Sequence, residues 1–170
     1  MHSHETDAVD SIVDDWTRVR GDLDFSPLAV FSRVKRIARQ LDVVRKRAFA
    51  EAGVEMSEFD VLSALRRSGA PYALTPKQLL ASSLVSSGTM TYRIDRLVQR
   101  GFVVREDDPA DGRSVLVRMT DAGGKRVDAA IQGLLEVERE LLADISDDEF
   151  AVIERGLRQL SLAMSVEEPN

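Results

Sequence analysis

The chain has 170 residues, 44% hydrophobic and 31% charged, which supports one folding unit with a core and excludes disordered or fibrous architecture as a global description. It has no cysteine, which removes disulfides, thiolate catalysis, cysteine-ligated zinc and thiol redox sensing together. The net charge of −6 runs against a nucleic-acid partner only as a sum: residues 1–26 carry −5, residues 27–126 carry +7 and residues 127–170 carry −8, so the middle is basic on the length scale of about 10 Å over which phosphates attract.

The start, MHSHETDAVD, is polar and acidic where a secretion signal is basic and then apolar. No apolar run approaches the roughly 18 residues that span a bilayer, so a cytoplasmic location is expected. His2 and His4 are the only histidines and have no acid at ligand spacing beside them. No metal or other cofactor is therefore expected. Ala8 to Val19 reads as a short amphipathic helix with Val9, Ile12, Val13, Trp16 and Val19 on one side. With it, residues 1–26 form an N-terminal extension. From Ser26-Pro27, where serine suits a cap and proline the first helical position, a long helix carries Phe31, Val34, Ala38, Leu41 and Ala48 to near Gly53.

Ser57 is expected to cap the next helix, with Phe59, Val61, Leu62 and Leu65, ending around Ser68-Gly69. Thr75-Pro76-Lys77-Gln78 makes a capping box that opens a short helix with Leu79, Leu80 and Leu84. A basic, amphipathic helix follows from Ser87 to Gln99, closed by Arg100-Gly101. Two helices a few residues apart, the second amphipathic, have the spacing of a helix-turn-helix. Phe102-Val103-Val104-Arg105 and Val115-Leu116-Val117-Arg118-Met119 then read as a hairpin with a long tip. Helical spacing returns after Thr120 with Val127, Ile131, Leu134, Leu135, Leu141 and Leu142. A second capping box, Ser146 with Glu149, precedes a stripe of Phe150, Ile153, Leu157, Leu160 and Met164. Such a stripe serves either the chain's own core or a two-fold interface.

This order of elements, together with Ser86-Ser87-Gly88-Thr89-Met90-Thr91-Tyr92-Arg93-Ile94-Asp95-Arg96-Leu97 and Asp108-Pro109-Ala110-Asp111-Gly112-Arg113-Ser114, resembles the MarR family over roughly residues 27–164. The resemblance implies a mainly α fold with a small β-hairpin: a winged helix-turn-helix at about residues 55–120 within a domain of residues 27–170, and dimerisation helices at 27–52 and 121–165. It implies a homodimer on pseudo-palindromic double-stranded DNA, acting as a repressor. Ser86, Ser87, Thr89, Thr91 and Tyr92 are the expected readers, because small hydroxyl residues let a helix N-terminus approach phosphates and base edges. Arg96 and Arg100 either bind phosphate or solvate a helix face. Arg113 resembles the family's minor-groove arginine, with Asp111 holding it or the turn.

Trp16, Asp60, Arg93 and Arg105 further resemble the urate-responsive branch of that family, in which a tryptophan, an aspartate and two arginines mark the ligand site. A planar purine anion can stack on indole and accept charge-assisted hydrogen bonds from guanidinium. Its charge near Asp60 would disturb an Asp60–Arg93 pair at the DNA-reading helix. Each residue also has a plainer role: Trp16 as an anchor, Asp60 as a capping acid, Arg93 and Arg105 as DNA contacts. A regulator without a ligand, or one taking another phenolic or organic acid, is the rival reading. An enzyme is not expected, since no Gly-rich phosphate loop or nucleophile elbow is present. A helical protein-interaction adaptor would differ in showing no salt-sensitive duplex binding.

Overall fold

The computed structural model describes residues 6–83, 85–109 and 111–165, and the side chains of Asp111 and Arg113 lie outside that description. Helix α1 (Ala8–Val19) matches the expected bounds and is capped by Asp7, whose carboxylate accepts from the Val9 and Asp10 amides at 2.7 and 3.2 Å. It lies against α2 (Ser26–Glu51), where Arg33 donates to both Asp7 and Asp10. Ser26 is a first helical residue rather than a cap: its amide and hydroxyl both donate to Asp24 at 2.9 Å.

Helix α3 (Met56–Arg67) begins one residue after Glu55, not at Ser57. The reason is local. The chain reverses at Gly53, φ +69°, Val54 is buried immediately after it, and the Glu58 carboxylate accepts the Glu55 amide at 2.9 Å. The box at Thr75 forms as expected before α4 (Pro76–Ala81), with the Thr75 amide donating to Gln78 Oε1 at 2.8 Å and the Gln78 amide to Thr75 Oγ1 at 3.2 Å; the helix stops short of Leu84, which lies outside the described residues. Helix α5 (Ser87–Gln99) ends at Gly101, φ +70°, whose amide donates to the Val98 carbonyl while that of Phe102 donates to Leu97.

A three-stranded antiparallel sheet, order β1-β3-β2, replaces the simple hairpin. Strand β1 (Ala73–Leu74) pairs with β3 (Asp111–Met119), and β2 (Val103–Asp108) pairs with β3 from Val103↔Met119 out to Asp108↔Asp111. The tip is therefore short, two residues between paired positions, with an irregularity at Asp107/Asp108. Helix α6 (Asp121–Leu141), capped by Thr120, starts against the sheet: a Cβ at Gly123 would overlap the Phe102 carbonyl oxygen. Helix α7 (Asp147–Ser165) follows the Ser146–Glu149 box.

The core gathers around Val61, Leu62, Leu65, Leu79, Ile94, Leu97, Val103, Val117 and Val127. A smaller cluster joins Phe49 to Ala130 and Leu134, with the Phe49 and Phe59 rings stacked at 4.2 Å between centroids. Beyond it the apolar faces stay open. Among the described residues α7 buries none, and Phe150, Ile153, Leu157 and Met164 are exposed, as are Phe31 on α2 and Ile131 and Leu135 on α6. The α7 stripe is thus not core within one chain. Among the described residues no helix is long and apolar enough to cross a membrane.

Candidate nucleic-acid interface

Helix α5 is half buried by Met90, Ile94 and Leu97, which face the core at helical spacing and leave the opposite face to solvent. On that open side, and around the helix start, lie Ser86, Ser87, Thr89, Thr91 and Tyr92, all exposed, the last by 62%. Ser86 caps the helix by accepting the Thr89 amide at 3.3 Å, and its hydroxyl lies 3.0 Å from that of Thr89. Thr91 donates back to the Ser87 carbonyl at 3.1 Å. Each hydroxyl keeps acceptor capacity for an outside donor, and the bare amides of the first turn point at whatever faces the helix end.

Of the ligand residues, Asp60 and Arg93 come together: Arg93 Nη1 donates to Asp60 Oδ2 at 3.0 Å, tying α3 to α5. The Arg93 side chain is only 17% exposed, whereas that of Asp60 is 57% exposed. Both line a cleft of about 340 Å³ with Ser63, Arg67, Ser82, Ser83 and Val85. Arg105 forms a separate pair with Asp95 of α5 at 2.7 Å. Trp16, half exposed, stacks on Phe25 at 5.9 Å and lines a different surface hollow with Ile12, Asp15 and Val19. The four residues therefore do not converge on one cavity within a single chain.

Residues 52–114 match the profile described as the MarR family. The HTH-type transcriptional regulator PecS of Dickeya dadantii is 35% identical over 141 residues, which is 83% of this chain and 85% of PecS. The chain belongs to the MarR family. An HTH-type transcriptional regulator of Mycobacterium tuberculosis is 33% identical over 136 residues, covering 80% of this chain and 90% of that one. A mutant of MarR from Escherichia coli, solved in complex with operator DNA, superposes with a TM-score of 0.66 at 26% identity, covering 80% of this chain and 96% of that chain. The Dickeya and Mycobacterium relatives are named as transcriptional regulators, not enzymes, in agreement with the sequence.

One part of this MarR-family site escapes a reading of the sequence. Arg96 and Arg100, expected at phosphate or on a solvated face, are both engaged within the chain. Arg96 donates to Glu55 at 2.6 Å, and Arg100 pairs with Glu58 and donates to the Gly53 carbonyl at 2.8 Å. The Glu55 carboxylate, by its hydrogen bond, holds the Arg96 guanidinium above its already high pKa. Glu55 and Glu58 sit 41 and 42 residues from these partners, and an E-x-x-E start carries no hint of where such partners lie. Asp111 and Arg113 fall at the wing tip in β3, their side chains outside the description.

Proposed function

We propose that this MarR-family DNA-binding transcriptional regulator is a cytoplasmic homodimeric repressor, released from a pseudo-palindromic operator by a small planar anion such as urate. The N-terminal half of α5 enters the major groove with Ser86, Ser87, Thr89, Thr91 and Tyr92. The wing carries Arg113, steadied by Asp111, to the minor groove. Residues 27–52 and 121–165, with α1, form the two-fold interface. In support, large apolar side chains stand exposed on α1, α2, α6 and α7, the helices assigned to that interface.

The observation that carries the ligand half is the Asp60–Arg93 pair, a single charge-assisted bond between α3 and the DNA-reading helix, beside a polar cleft. An anion that competes for Arg93 and repels Asp60 shifts α5 in proportion to its preference for the non-binding form. Arg105 and Trp16 complete the site through rearrangement or through the second subunit. A ligand-independent regulator is the second reading, favoured by the partner that Trp16 already has in Phe25.

Mobility shift of the duplex beside the protein's own gene, with urate, xanthine and salicylate added in turn, tests both halves. Release by urate is the expected result, and Trp16→Phe should blunt it while sparing DNA binding. Binding unaffected by every compound removes the sensor, and no salt-sensitive duplex binding removes the regulator.

A further inference from the structure

The second half of α5 is strapped to the start of α3 by a charge cluster unlike the exposed pairs elsewhere. Among the described residues Glu58 is the buried charged side chain, 1% exposed. Its Oε2 accepts the Glu55 amide and the Arg100 guanidinium, while Oε1 lies 3.7 Å from Arg96 Nη2 with no hydrogen bond of its own among the described residues. Arg96 and Arg100, one turn apart, are further held by Glu55 and by the Gly53 carbonyl, and Arg100 lies over the Phe102 ring at 4.6 Å. Two carboxylates meet two guanidiniums, so the cluster adds no net charge to the field that a duplex meets. A buried carboxylate needs its partners, because leaving it alone costs far more than an exposed pair returns.

From this geometry we propose that Glu58, Arg96 and Arg100 are positioning residues that fix the angle of the DNA-reading helix, and that neither arginine contacts phosphate. The cluster is the fixed end of α5, and the Asp60–Arg93 pair nearer the helix start, a single bond to an exposed carboxylate, is the tie that yields. The proposal rests on α5 being the helix that enters DNA. Its rival is that both arginines swing out to phosphates and Glu58 restrains them. The two give opposite signs. Removing the carboxylate misplaces the helix in the first case and liberates two cations in the second.

The test uses the purified full chain, the duplex that footprinting defines beside its own gene, and a scrambled duplex of equal length, titrated at several salt concentrations. Glu58→Gln keeps the shape and removes the charge. Affinity for the footprinted duplex should fall by about tenfold, as the loosening of a preorganised helix implies, with binding to the scrambled duplex and the salt slope unchanged. Tighter binding to both duplexes with a steeper slope overturns the proposal, as does unaltered affinity and slope. Should Glu58→Gln fail to fold by circular dichroism, Arg96→Ala and Arg100→Ala decide. Each should lower specific affinity without changing the slope, whereas removing a cation that neutralises a phosphate lowers the slope's magnitude by about 1. Failure of the unaltered chain to bind any duplex would sink the regulator reading itself, a result separate from a slope change in the variants.

Discussion

Single side chains divide into those that meet a partner inside the chain and those left for an outside one. Arg113, at the wing tip in β3, is proposed for the second group. Arg113→Ala should weaken duplex binding at every sequence and reduce the magnitude of the salt slope by about 1, measured by titration at several ionic strengths; an unaltered slope removes the wing from the backbone. Asp10 belongs to the first group. The Arg33 guanidinium, then the Asp7 amide, hold its carboxyl below the ordinary carboxylate range. For Asp7, desolvation pushes upward, but the Val9 amide and Arg33 outweigh it and the net direction is down. A depressed carboxyl contributes stability that is complete above its unfolded pKa and is lost as pH falls through the folded value. The seating of α1 on α2 should therefore loosen only in acid, below the usual carboxylate range. Trp16 fluorescence followed through acid titration should report it, and Arg33→Ala should shrink the transition and leave only the part due to the capping amides.

At the level of elements, what was legible in the sequence was whatever is decided within a few residues. Helix α1, the Thr75–Gln78 and Ser146–Glu149 boxes and the stop at Gly101 form as the local chemistry dictates. Strand β1 was not legible, because two residues carry no periodicity and Ala73–Leu74 becomes a strand only by pairing with Arg118 and Val117. Serine is the better cap, yet burial of Val54 sets the cap of α3 at Glu55, two residues before Ser57. In the site, the hydroxyl face of α5 and the Asp60–Arg93 pair could be named in advance, while the partners of Arg96 and Arg100 lay beyond reach of any spacing rule. The junction of α6 with the sheet was equally hidden. Gly123→Ala forces the helix start away from the Phe102 carbonyl and should destabilise the fold by about 1–3 kcal/mol, read by urea denaturation; an unchanged midpoint would show that the junction relaxes freely.

Across the whole molecule, the tight core spans residues from Val54 to Val127 while the outer helices keep apolar faces open. A dimer that covers them binds the native state alone, so the thermal midpoint should rise with protein concentration. Leu157→Asp, on the exposed face of α7, should yield monomers in sedimentation and abolish shift of the duplex while leaving the sheet and α5 folded; a stable dimer in that variant would move the interface elsewhere. The close approach of Gly123 to the Phe102 carbonyl then acquires a mechanical meaning. Helix α6 reaches from the expected interface to the root of the wing with no slack at the join. In the proposed dimer the angle at which two copies cross would thereby be transmitted to their wing tips, and a change in that angle would act as a caliper, opening or narrowing the span between the grooves they can reach together.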